Sequence, residues 1–240
     1  MRRTWLLLLA GLLAEPAVAQ PLAAPAVKPG DAWVYSETSD GRDGWRQIRV
    51  ERVVLRAGPS GIVTSNRPVG SSQPPTERLA GADWSLFRSV NGRETVVNRP
   101  LVFPLAPGKT WEVEVTEEQP NRQLGRRHIR HAYRAVGWEE VTVPAGTFRA
   151  LKIEAEGQWT TTTAPATVAA TGTRLDAQGA RTVMQTGPVR AATSTGRAYK
   201  AFWYVPAVRR WVRAVEESYD SSGGKDDRLT VELESYRLAD

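Results

Sequence analysis

His128 and His131 are the only histidines in the 240-residue chain, and both fall in a stretch whose alternation reads as a β-strand. Three residues apart in a strand, they point to opposite faces, so they do not jointly ligate a metal and no metal site is expected. Arg126, His128, Arg130 and Arg134 share parity and line one strand face, about 26 Å long at ~3.3 Å per residue. Such a stripe suits the phosphate or carboxylate groups of a lipid head, a lipopolysaccharide or another envelope polymer. Nearer partners exist within the chain. If residues 110–118 and 126–134 form a hairpin in which paired positions sum to 244, Glu118 faces Arg126 and Glu114 faces Arg130. Opposite charges placed across strands stabilise a sheet by about 0.2–1 kcal/mol per pair. The stripe therefore reads first as a solvated, charge-paired face, with anion contact as its functional reading.

Tryptophan is the second set of residues able to do something: eight of the nine lie beyond residue 19. Trp111, Trp138, Trp203 and Trp211 stand at or near strand positions and are the candidates to line a pocket for an acyl chain or glycan. Aromatics at such positions also simply fill a β core. Adjacent acids occur at Glu117-Glu118, Glu139-Glu140, Glu216-Glu217 and Asp226-Asp227. Neighbours in a strand face opposite ways, so these pairs do not build the facing acid and base of a glycosidase. Arg209-Arg210-x-x-Arg213 reads as a polar turn. No phosphate loop, dinucleotide fingerprint or Gly-x-Ser-x-Gly elbow is present, and neither catalytic residues nor a cofactor are expected.

The elements that carry these residues follow a period of two, not 3.6. Trp111-Val113-Val115, Leu151-Ile153-Ala155 and Leu229-Val231-Leu233 each alternate with polar residues. Further strands are expected at Ala32–Glu37, Trp45–Arg56, Gly61–Ser65, Trp84–Val90, Glu94–Asn98, His128–Val143, Tyr199–Val205 and Trp211–Tyr219. Tyr199–Val205 is apolar on both sides and should be central and covered. Pro-Gly in Lys28-Pro29-Gly30-Asp31 and Ala106-Pro107-Gly108-Lys109 predicts type II turns, and Val143-Pro144-Ala145-Gly146 a type I turn. Thr76–Phe87 is the one stretch that could be a short helix, weakened by Gly81. Arg67–Pro75 reads as a surface loop. The Thr- and Ala-rich stretch at 158–197 reads as an exposed hairpin insertion with its tip at Asp176–Gly179, or as a flexible loop.

At the scale of the whole chain, Arg2 and Arg3, the apolar run Trp5–Leu13 and the small-x-small pattern Ala17-Val18-Ala19 form a secretory signal. Cleavage is expected after Ala19, followed by a Pro/Ala-rich segment at 20–27 and one β-rich domain at 28–240. No later stretch reaches the ~20 apolar residues needed to cross a bilayer. Cysteine is absent, which removes disulfides, thiolate zinc sites and the acylated cysteine of a lipoprotein. The expected location is periplasmic, with secretion as the alternative. Beyond residue 19 the chain carries 25 arginines against five lysines. Arginine favours oxyanion contacts, but an Ala-, Gly- and Pro-rich, GC-biased composition gives the same excess. Export and interspersed acids speak against nucleic acid.

Three segments in order carry a resemblance: Phe103-Pro104-Leu105-x-Pro107-Gly108-x-x-Trp111, then Val141-Thr142-Val143-Pro144-Ala145-Gly146-Thr147-Phe148-Arg149-Ala150-Leu151-Lys152-Ile153, then Trp203-Tyr204-Val205-Pro206-x-Val208-x-Arg210-Trp211-Val212. With Glu232-Leu233-x-Ser235-Tyr236, the string resembles a group of uncharacterised bacterial periplasmic proteins of unknown function. Their architecture is similar to the curved half-barrel of lipoprotein carriers. The resemblance implies strand-and-turn grammar and no catalytic residues.

The expected fold is all-β, a curved antiparallel sheet or open half-barrel of about ten strands with little or no helix. The expected function is a non-catalytic binding or carrier module for a lipid-like or hydrophobic envelope component. The alternative is an envelope scaffold or secretion accessory acting through a protein partner, and a hydrolase is a remote third.

Overall fold

The computed structural model describes residues 20–42, 44–164, 166–176, 179–189 and 191–240. The expected secretory signal and its cleavage point lie outside these residues, as do positions 177 and 178 of the expected hairpin tip.

The alternating segments become strands. In chain order they are β1 (Ala32–Gly41), β2 (Gly44–Gly58), β3 (Gly61–Pro68), β4 (Thr76–Ala80), β5 (Leu86–Val90), β6 (Arg93–Asn98) and β7 (Thr110–Glu118). They continue as β8 (Leu124–Val143), β9 (Gly146–Thr163), β10 (Ala166–Asp176), β11 (Gly179–Val189), β12 (Thr193–Val205), β13 (Arg210–Tyr219) and β14 (Lys225–Arg237). A single 3-10 turn, Pro206–Val208, joins β12 to β13. Twelve strands form one antiparallel sheet in the order β6-β5-β4-β3-β2-β1-β14-β13-β12-β9-β8-β7. β10 and β11 pair with each other, from Ala166 opposite Val189 to Asp176 opposite Gly179.

Almost every sheet neighbour is thus a sequence neighbour, and the first strand pairs with the last. The two edges, β6 and β7, come together through side chains. Asn91 Nδ2 donates to the Thr116 carbonyl at 3.0 Å, and its Oδ1 accepts the Glu118 amide at 2.9 Å. Arg88 bonds Glu117 at 2.6 Å, and the Tyr133 hydroxyl donates to Asn98 Oδ1 at 2.6 Å. The sheet is therefore nearly closed into a barrel. It is longer and more fully wrapped than ten open strands, because β4 joins β3 to β5 and β6 in the same sheet.

β4 and the turn after it replace the expected helix at Thr76–Phe87, while β5 falls within the strand expected at Trp84–Val90. Asn66 to Ile62 of β3 offer an open ladder, and Thr76 to Ala80 take it. A tight turn follows, with Gly81 N bonded to the Ser85 carbonyl and Trp84 N to the Gly81 carbonyl, both at 2.9 Å. Trp84 sits there at φ 61°, in the left-handed region. Sheet pairing outweighs a helical tendency already reduced by about 1 kcal/mol at Gly81.

Other expectations hold in detail. β7 pairs with β8 from Thr110 opposite Arg134 to Glu118 opposite Arg126, every pair summing to 244. The Lys109 amide bonds the Ala106 carbonyl at 3.2 Å across Gly108 at φ 85°, as a type II turn requires. β12 lies between β9 and β13, and Ala201, Phe202, Tyr204 and Val205 within it are buried on both faces.

The core fills the barrel interior. Trp33, Tyr35, Tyr133, Ile153, Tyr204 and Leu233 are among its fully buried side chains. The connection from β6 to β7 buries Leu101 and Leu105, and Leu22 forms a backbone bridge to Leu105. Asp31 is fully buried and ties both ends of the described chain together. It accepts the Lys28 amide at 3.0 Å, the Ala239 amide at 2.9 Å and Arg209 Nη1 at 2.8 Å.

Candidate functional site in the barrel interior

Strand parity decides which residues look inward. In β1, Trp33, Tyr35 and Glu37 share a face, and their partners in β2 are Arg52, Val50 and Ile48. From the opposite side come Phe202 of β12, Ala214 and Glu216 of β13, and Leu229 and Val231 of β14. With Trp84 and Trp211, and with Glu37, Ile48, Val50 and Arg52 from β1 and β2, these line a cavity of about 450 Å³ behind which Trp33 and Tyr35 are buried. Small-molecule sites commonly span ~300–1,000 Å³. Its wall is aliphatic along Ile48, Val50, Leu229 and Val231, aromatic at Trp84, Trp211 and Phe202, and polar at Thr64, Asn66 and Asn98.

Arg210 enters this cavity from the first position of β13, with 7% of its surface exposed. Adjacent strand residues normally face opposite ways, yet Arg210 and Trp211 both reach the same space. Arg209, at φ 63°, stands just before the strand, and the one-residue register shift comes after Trp211, where the ladder with β12 skips Val212. Arg210 Cζ then lies 4.2 Å from the ring centre of Trp84, 4.6 Å from Trp211, 5.4 Å from Trp33 and 5.6 Å from Tyr35.

The rings of this box are pinned by their polar handles. Trp33 Nε1 donates to the Val208 carbonyl at 3.0 Å, Trp84 Nε1 to the Arg209 carbonyl at 3.1 Å and the Tyr35 hydroxyl to the Trp211 carbonyl at 2.7 Å. Edge-to-face contacts link Trp33 with Trp84 at 5.6 Å, Trp84 with Trp211 at 6.2 Å and Trp211 with Phe202 at 5.5 Å. The backbone on both sides of Arg210 is therefore fastened to the rings that surround its head.

The guanidinium has aromatic faces but few acceptors. Among the described residues, nothing hydrogen-bonds Arg210 Nε or Nη1. Burial, with Arg52 nearby, pushes its pKa down to about 9, partly offset by Tyr35 and Glu37, and it stays a cation at neutral pH. Other charges of the interior are occupied: Arg52 is ion-paired with Glu37, and Lys200 Nζ holds Glu216 at 2.9 Å.

Farther along the interior, His131 is buried, with no partner for Nε2 among the described residues. Burial, with Lys200 nearby, pushes it down to about 4, so it is neutral at pH 7. A Cβ added at Gly157 would lie 2.5 Å from His131 Cδ2, so this glycine is what lets the imidazole pack against β9.

The residues singled out from the sequence are dispersed. Trp211 lines the cavity. Trp111 stacks on Tyr133 at 5.4 Å and donates to the Arg99 carbonyl at 2.8 Å. Trp138 lies under Arg149 at 5.6 Å. Trp203 donates to Glu139 and is flanked by Lys152 at 5.4 Å and Arg213 at 5.3 Å. On the basic stripe, Arg126 pairs with Glu118 at 3.2 Å and His128 with Glu114 at 2.8 Å. Arg130 leans diagonally to Glu112, with contacts of 2.7 and 3.3 Å, instead of to Glu114 directly opposite. Arg134 is exposed, opposite Glu154.

A larger hollow of about 750 Å³ lies beside Arg130, lined also by Glu156, Arg197, Tyr199, Glu217 and Tyr219. Several of its groups have partners: Tyr199 bonds the neighbouring Glu154 at 2.8 Å, Tyr219 bonds Glu217 at 2.6 Å, and Arg197 lies over the Tyr219 ring. The smaller inner cavity holds the unsatisfied cation. Sequence reading missed Trp33, Tyr35, Arg52, Trp84 and Arg210 as a group. The Arg210-Trp211 dipeptide just after the Pro206–Val208 turn is the local signal.

No protein-family model matches the chain, and no curated protein sequence matches it. Two solved structures are similar in overall shape. One is a Parabacteroides distasonis protein provisionally described as a lipoprotein, with TM-score 0.45 and 16% identity. The other is a Bacteroides fragilis protein provisionally described as exported and given a YmcC-like fold, with TM-score 0.42 and 15% identity. Each comparison covers 91% of this chain and 100% of the other. Likeness at that level says nothing of ligands.

Proposed function

We propose that this protein is an exported, non-catalytic binding module that holds a hydrophobic envelope component inside its barrel. The observation that carries the reading is the roughly 450 Å³ interior cavity with one aliphatic wall and one aromatic wall. Burying an apolar ligand there gains on the order of 25 cal/mol per Å² removed from water. Binding is favoured over catalysis because the acids facing the cavity, Glu37 and Glu216, are each held in an ion pair. The arginine-flanked apolar run and Ala17-Val18-Ala19 support export.

The test is native mass spectrometry of protein purified from the periplasm of an expressing bacterium, followed by solvent extraction and titration with a fluorescent fatty acid. A co-purifying amphiphile, or saturable binding displaced by unlabelled acyl compounds, is expected. A ligand-free protein that binds no acyl probe overturns the reading.

A further inference from the structure

We propose that the cavity seats an anionic amphiphile, with the carboxylate or phosphate head on the Arg210 guanidinium and the alkyl chain along Ile48, Val50, Leu229 and Val231. The inference rests on the binding-module reading and adds the chemical class of the ligand and its orientation.

Three observations converge on it. First, Arg210 is more than nine-tenths buried, and its Nε and Nη1 have no hydrogen-bond partner among the described residues. A buried guanidinium without acceptors is costly, and an oxyanion is the ligand class that a guanidinium takes best. Second, the remaining charges around the cavity cancel locally. Arg52 neutralises Glu37, Lys200 neutralises Glu216, and Arg78 lies at an exposed position of β4. Arg210 is the buried charge left over, so the interior has a net attraction for one anion. Third, the head is immobilised. Trp33, Trp84 and Tyr35 are bonded to the carbonyls of residues 208, 209 and 211, which holds the guanidinium in place before a ligand arrives. Preorganisation of this kind removes part of the ordering cost of binding.

The rings also give Arg210 cation–π contacts, and a cation held only by its box would be a structural pin. Ligand preference separates the two roles. Decanoic acid, decyl phosphate, decanol and inorganic phosphate are titrated into the wild-type protein by calorimetry, and the first three again into Arg210→Met and Arg210→Lys. Wild type is expected to bind decanoate and decyl phosphate on the order of tenfold or more tighter than decanol. Inorganic phosphate alone should bind far more weakly than its decyl ester. Arg210→Met should erase the acid-over-alcohol preference while keeping decanol affinity, and Arg210→Lys should retain part of it. Equal affinity for decanoate and decanol in wild type overturns the proposal and leaves the binding-module reading intact. Absence of binding by all three alkyl ligands overturns the module itself. Inorganic phosphate binding as tightly as decyl phosphate removes the amphiphile from the proposal.

Should Arg210→Met fail to fold, orientation is read in the wild type by tryptophan quenching. Trp84 and Trp211 flank the proposed head and are the tryptophans lining the cavity. A decanoic acid brominated beside its carboxyl should quench more strongly than one brominated at its far end. Equal quenching, or the reverse order, places the head elsewhere and overturns the assignment.

Discussion

The outer face of the β7–β8 hairpin and the interior beside β13 both display arginine, and they treat it in opposite ways. Outside, Arg126, His128 and Arg130 each meet a glutamate across the ladder, and all remain within reach of water. Inside, Arg210 has four aromatic rings, less than a tenth of its surface exposed, and no acceptor for two of its nitrogens among the described residues. An exposed pair exchanges water for a carboxylate at little net gain. A buried cation has lost its water already, and every partner it lacks counts in full. Density of charge in the sequence is therefore a poor guide to where charge matters. The isolated, enclosed charge is the informative one.

The largest test of that contrast is at Asp31, the fully buried carboxylate beneath Arg209. Asp31→Ala strips acceptors from Arg209 and from the Lys28 and Ala239 amides. Breaking a buried pair from one side costs about 3–5 kcal/mol, read as a lower midpoint in urea unfolding. A loss no greater than that of a surface substitution would erase the distinction between the two regions.

Next comes acid. Unfolded, the His131 imidazole takes a proton near pH 6.5, whereas in the barrel burial delays it to about 4. Between those values the unfolded chain binds more protons, so stability is full above pH 6.5 and falls as pH drops to about 4. The loss is on the order of 3 kcal/mol, and His131→Gln should flatten that part of the stability profile. An unchanged profile in the variant would mean that the interior accepts a charge at this point.

The smallest effect is expected on the stripe. Arg130→Ala should barely move the unfolding midpoint, and the residual shift should vanish at high salt, because the Arg130–Glu112 contact is solvent-exposed. A large, salt-insensitive loss would make the outer face as consequential as the inner.

Much of the fold was legible because alternation and turn chemistry are local. The 244 register of β7 and β8 followed from charge complementarity alone, and the Pro-Gly turns from the φ that only glycine adopts freely. The segment Thr76–Phe87 was misread because β4 is a strand only by virtue of the open edge of β3, a contact that no window of sequence contains. The site was largely hidden for a related reason. Strict parity sends Arg210 and Trp211 to opposite faces, yet both reach the same cavity, at the start of a strand entered from the left-handed Arg209. The walls of the aromatic box come from residues 33, 35, 84 and 211, brought together by the pairing of the first strand with the last and by the curvature of the sheet.

The pairing of the first strand with the last has a consequence for the order of folding. The ladder between β1 and β14 pairs Ala32 with Arg237 and Gly41 with Asp227, so it joins the two ends of the described chain. On a ribosome, β1 emerges first and one of its two edges has no native partner until nearly all the chain has followed. Loop closure over such a separation slows folding, and Trp33 and Tyr35 cannot be fully enclosed before it is complete. The aromatic box is consequently among the last parts of the protein to form, and its tryptophan emission should report the final kinetic phase of refolding.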